Sequence, residues 1–133
     1  MADSEETHTQ QIESDHTGTQ LLVGLSVGHT AIHWFQQLWP VIIPSVKATL
    51  GINDVQLGTL SSIKQFTTGP LMLPSGMLAD FYRKQTSVIL AAAFIFLGVS
   101  HSLVGLSSSF VWIIPGVALL GVGTALWHPA ALG

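Results

Sequence analysis

Residues 86–106 read TSVILAAAFIFLGVSHSLVGL, a run that contains no Asp, Glu, Lys or Arg. A helix of about 20 apolar residues is long enough to cross a hydrocarbon layer roughly 30 Å thick. Outward from it lie further runs of similar length: residues 110–132 and 21–46 carry no charge, and residues 55–79 carry only Lys64. Lipid offers no water to backbone amides, and these runs lack the alternation of a barrel strand, so helix is the economical backbone form. The expected fold class is all-α, a polytopic membrane helical bundle with helices at about 21–46, 55–79, 86–106 and 110–132.

Composition points the same way. Charged residues make up 8% of the chain, against about 25% in ordinary soluble domains. The formal net charge of -3 misleads, because Asp3, Glu5, Glu6, Glu13 and Asp15 crowd the first fifteen residues. Beyond residue 20 the chain is slightly basic, with Lys47, Lys64, Arg83 and Lys84 against Asp54 and Asp80. There is no basic stripe to track a phosphate backbone, so no nucleic-acid partner is expected. The chain has no cysteine, which removes disulfides and thiol chemistry from consideration.

Residues 1–20 are polar and acidic, too poor in apolar side chains to repay ordering, and read as a disordered acidic cytoplasmic tail. A cleaved signal peptide begins with basic residues, and this start is acidic, so the first span is expected to remain in the protein. Basic residues set orientation: Arg83 and Lys84 put the connection after the second span, and with it the N-terminus, in the cytoplasm. Trp39 and Trp112 fall at the expected outer boundary, Tyr82 and Trp127 at the inner one, as an aromatic belt requires. Localisation is then a plasma membrane, multi-pass, with the lipid bilayer as a partner.

The connection PSGMLADFYRKQ, residues 74–85, gathers half of the six charges found after residue 20. Gly76, Asp80, Arg83 and Lys84 in this order resemble the loop between helices two and three of the major facilitator superfamily. Phe81 stands where that family usually has an arginine, Arg83 where it has a glycine, and Gln85 where it has a second basic residue. A second stretch, Gly121-Val-Gly123-Thr-Ala-Leu-Trp-His128-Pro129, is similar to the end of helix four in transporters of the fosmidomycin-resistance type. Gly28-His29, His33, Pro40, Pro44 and Gln56-Leu57-Gly58 look like the same group, so the resemblance runs in order over residues 21–133.

The resemblance implies a secondary transporter driven by an ion gradient, exporting a small-molecule substrate. In that family Gly76 permits close helix contact, and Asp80 with Arg83 and Lys84 forms a conformational-switch loop between outward-open and inward-open states. The family has twelve helices in two halves, so this chain is expected to be an N-terminal portion completed by the remaining helices of the full-length transporter. The alternative is a small four-helix membrane protein acting as an interaction or assembly subunit.

Polar residues within the spans are the candidates for chemistry. His29, His33, Gln36 and Gln37 recur at i, i+4, i+7 and i+8 and share one helical face, and Ser61, Lys64, Gln65 and Thr68 do likewise. His29, His33, Gln36 and Lys64 are expected to line a translocation path, since an ionisable group turned to hydrocarbon costs about 2.5 to 3.5 kcal/mol. The competing reading has Lys64 snorkelling to the interface and the histidines bonding across helices. His101 is expected to pack and His128 to bond at a helix end. Two histidines at i, i+4 lack the further ligands zinc needs, no nucleophile, base and acid arrangement is legible, and no glycine-rich loop carries a nucleotide-binding lysine. No enzyme, metal or cofactor is expected. Small residues at Gly24 and Gly28, and at Gly116, Gly121 and Gly123, would let helices approach closely. The prolines at 40, 44, 70, 74, 115 and 129 predict kinks or frayed ends.

Overall fold

The structure is a computed structural model that describes residues 2–132, with side chains given for residues 18–131. It is all-helical: α1 Ala2–Leu50, α2 Asp54–Phe81, α3 Thr86–Leu106 and α4 Phe110–Leu132, with a short 3-10 turn at Arg83–Gln85 before α3. The chain divides into two units, residues 1–31 and 32–133.

The first unit is helix throughout its described residues. Residues 2–20, expected to lack fixed structure, form backbone continuous with α1. The side chains of residues 1–17 lie outside the described ones, so the acidic tail is described as backbone only. Leu21, Leu22, Val23 and Val27 are exposed, and no atom approaches the Cβ position of Gly24.

The second unit runs as alternating antiparallel helices, with α4 packed against both α2 and α3. Glycines on α4 make that central position possible. A Cβ on Gly121 would stand 2.8 Å from the Lys64 carbonyl oxygen of α2. One on Gly116 would meet Val104 at 2.9 Å, and one on Gly123 would meet Leu97 at 2.9 Å, both on α3. Ser100, fully buried, donates to the Gly116 carbonyl at 2.6 Å across the same seam. Small residues thus let the backbones approach closely.

The core joins Ile32 and Trp39 of α1, Leu60 of α2, Ala93, Leu97 and Val104 of α3, and Ile113, Val117, Leu120 and Trp127 of α4. Trp127 meets Phe94 edge-on at 4.9 Å, and Phe35 of α1 packs on Phe94 and His101. Trp39 and Trp127 are 4% and 2% exposed, so they belong to the core and not to an aromatic belt. The central position of α4, invisible in its own sequence, is what draws Trp127 inward. Trp112 and Tyr82 are exposed.

Boundaries follow local chemistry. α1 ends at Gly51, whose φ of 62° is the left-handed conformation glycine adopts without strain. Asn53 then caps α2: its side chain accepts from the Gln56 amide and the Gln56 side chain accepts from the Asn53 amide, both at 2.9 Å. Asn53→Ala is expected to lower stability by about 1 kcal/mol and Asn53→Ser to retain most of it, read from thermal unfolding in detergent. All six prolines lie inside helices that continue through them, instead of fraying the ends. Neighbouring helices sustain such interruptions in a bundle.

Of the four runs expected to span, residues 83–106 and 110–131 form helices long and apolar enough to cross a membrane. The histidines and glutamines of α1, and the hydroxyls, Lys64 and Gln65 of α2, make those two helices more polar. Part of that polarity is gathered in one place.

Candidate functional site

Gln36, Gln37, Trp39, Pro40 and Ile43 of α1 and Ser61, Lys64 and Gln65 of α2 line an open cleft of about 390 Å³. The polar members are spaced at helical intervals, so each helix turns them as one face toward the other. The short Gly51–Asn53 turn returns the chain from α1 into α2, and the Lys47–Asp54 ion pair closes that end. Gln36 and Lys64, expected to line a path, are therefore brought together, with Gln37, Ser61 and Gln65 beside them.

Lys64 is half-buried. Its turn of α2 is held from behind by α4: the Gly121 backbone lies on the Lys64 carbonyl, and the Thr68 hydroxyl donates to the Lys64 carbonyl at 2.9 Å and toward Gly121 O at 3.4 Å. The glycine of the helix-four stretch thus positions the lysine of α2, a link between two motifs that neither motif reveals alone. Beyond residue 20 the carboxylates are Asp54 and Asp80. Asp54 pairs with Lys47 and Asp80 with Arg83. Lys64 Nζ has no ion pair or hydrogen bond among the described residues, and Gln36 Nε2 is buried without a partner.

His33 is not part of the cleft lining. Its ring stands edge-on to that of His128 at 6.0 Å, joining α1 to the end of α4. His128 Nδ1 lies 3.1 Å from the Thr124 carbonyl, one turn back on α4. His29 belongs to the first unit. His101 packs under Phe35, with Nδ1 donating to the Leu97 carbonyl at 2.9 Å. Among the described residues no group of three or more His, Cys, Asp or Glu is placed to hold a metal ion.

Gly76 and Asp80, expected in a loop, sit on the last turns of α2, while Arg83 and Lys84 form the 3-10 turn. The helix continues because Ala79 is buried against Ile89 of α3 and Ala130 of α4. Gly76 faces Pro129, whose Cβ is 3.8 Å from the glycine's Cβ position. Asp80 Oδ1 lies 3.5 Å from Arg83 Nη2, both side chains 71% exposed. An ion pair so exposed stabilises by about 1 kcal/mol at most, which leaves Asp80 free to exchange partners. No family model, curated protein or solved structure matches the chain.

Proposed function

We propose that these helices form part of an ion-gradient-driven secondary transporter of the major facilitator type, lying in the plasma membrane with its N-terminus cytoplasmic and exporting a small molecule. The observation that carries this reading is the cleft: a lysine and three glutamines collected between two helices of an otherwise apolar bundle. An ammonium facing hydrocarbon costs about 2.5 to 3.5 kcal/mol, so a face of this kind belongs against water, solute or further polar helices.

The opposite surface supports lipid as the surrounding solvent. Phe66 and Leu73 of α2 are 78% and 80% exposed, and Val88, Ile95, Leu106, Val111 and Trp112 continue the apolar exterior over α3 and α4. α3 carries no charged residue, yet much of it is exposed. A soluble bundle buries most of its apolar surface, whereas a bilayer leaves no reason to hide it. The resemblance to the family's second loop and helix-four end supplies the transport class, with Asp80, Arg83 and Lys84 as the switch and Lys64 and Gln36 on the solute path. The carboxylates of α2, Asp54 and Asp80, lie at its ends, which leaves histidines as the groups that suit proton coupling farther inside the helices.

The absence of cysteine from the chain makes the test clean. Single-cysteine variants Gln65→Cys, on the cleft, and Phe66→Cys, on the apolar exterior, are reconstituted in liposomes and exposed to a charged, membrane-impermeant thiol reagent. Gln65→Cys is expected to react about tenfold faster or more, since only the cleft is wet. Equal protection of both sites would leave no aqueous path between α1 and α2 and remove the transport reading.

A further inference from the structure

We infer that the cleft between α1 and α2 binds a singly charged organic anion of the monocarboxylate kind, with Lys64 Nζ as its counter-ion and the Gln36 amide as a second donor. The inference rests on the transporter reading only in taking this anion for the transported solute.

Charge accounting carries it. The second unit has four cations, Lys47, Lys64, Arg83 and Lys84, and two anions, Asp54 and Asp80. Both anions are engaged outside the cleft, Asp54 with Lys47 and Asp80 with Arg83. Lys84 lies on the exposed 3-10 turn, where water solvates it. Lys64 differs from it in being half-buried and facing a cleft whose lining contains no Asp or Glu. A cation partly withdrawn from bulk water gains from an anion beside it, and none is supplied by the described residues.

The neighbours favour an oxyanion. Gln36 Nε2 is buried with no acceptor, and a buried amide donor left unpaired is rare enough to mark a missing partner. Gln36 lines the same cleft as Lys64, and a turn of its side chain would bring the amide N–H beside the ammonium, so that the two meet the two oxygens of a carboxylate, each able to accept a charge-assisted bond. One lysine balances one negative charge. Trp39, Pro40 and Ile43 complete the lining with apolar surface, which suits an organic body. The cleft, at about 390 Å³, falls within the roughly 300–1,000 Å³ of small-molecule sites.

The test uses the chain in nanodiscs of phosphatidylcholine, which carries no net charge, titrated by equilibrium dialysis with benzoate, benzamide and phenylphosphonate. Benzoate is expected to bind saturably, and benzamide, its neutral counterpart, about tenfold more weakly or worse. Lys64→Met is expected to weaken benzoate by about tenfold or more while Lys64→Arg keeps it within about threefold, with helix content followed by circular dichroism. If Lys64→Met does not fold, the benzoate and benzamide comparison on the unaltered chain decides by itself. Benzamide binding as tightly as benzoate overturns the inference, as does an unaffected, folded Lys64→Met. Tighter binding of doubly charged phenylphosphonate overturns the single-charge assignment. In discs containing phosphatidylglycerol, retention of that lipid in native mass spectra, dependent on Lys64 and not displaced by benzoate, assigns the anion to a headgroup and likewise overturns it. Fast labelling of Gln65→Cys with charge-blind binding sinks this inference alone, and benzoate binding without labelling sinks the transporter reading instead.

Discussion

Gly121→Val is expected to push α2 off α4 and cost about 3 kcal/mol, the upper end for overpacking a tight seam. The reason is local. A Cβ at residue 121 would sit 2.8 Å from the Lys64 carbonyl oxygen and 2.8 Å from Thr67 Cβ. Backbone and a β-branched carbon cannot swing aside as a long side chain would, so the helices themselves must move. The same displacement would carry Lys64 away from Gln36, so the cleft is lost along with stability. Gly98→Ala is the control: no atom lies within 4 Å of its Cβ position, and alanine in a helix interior is favoured over glycine by up to about 1 kcal/mol. Thermal unfolding in detergent, with labelling of Gln65→Cys in each background, reads both effects. A Gly121→Val protein as stable as the parent would mean that α2 and α4 do not meet at this glycine.

Leu97→Ala carries the second large effect. Leu97 is fully buried at the centre of the core, and its side chain covers Gly123 of α4. Truncation of such a leucine in a water-soluble protein costs about 2–5 kcal/mol, part from transfer out of water and part from the cavity. On the membrane reading proposed above, the separated helices remain in apolar surroundings, so the transfer part largely vanishes and the lost packing remains. The expected loss is therefore about 2 kcal/mol, at the low end of that range. Ile95→Ala on the exposed face of the same helix is expected to change stability little, because Ile95 is 66% exposed. Unfolding by denaturing detergent of the two variants in parallel measures the contrast. A Leu97→Ala loss no greater than that of Ile95→Ala would take Leu97 out of the core.

How much of this could be read from the chain differs by feature. The runs at residues 86–106 and 110–132 became α3 and α4 with the same bounds, because uncharged stretches between polar connections leave helix ends little choice. α2 ran past its expected end, taking Asp80 onto the helix, because Ala79 finds burial against Ile89 and Ala130. The i, i+4 spacing of Gln36, Gln37, Ser61, Lys64 and Gln65 announced polar faces within single helices, and those faces meet in the cleft. The same spacing grouped His33 with them, yet His33 turned to His128. Spacing defines a face only to within a wide arc, and the neighbouring helix selects which part of the arc it covers.

Helix number, the polar stripes and the scarcity of charge were written in the amino-acid order, since each depends on neighbours within about one helical turn or on composition alone. Tertiary structure decided what faces what: α4 at the centre with its glycines on Lys64, Leu97 and Val104, Trp39 and Trp127 in the core, and Asp54 and Asp80 engaged away from Lys64. Those outcomes depend on contacts between residues tens of positions apart, which side-chain volume and charge settle together only when all the helices pack.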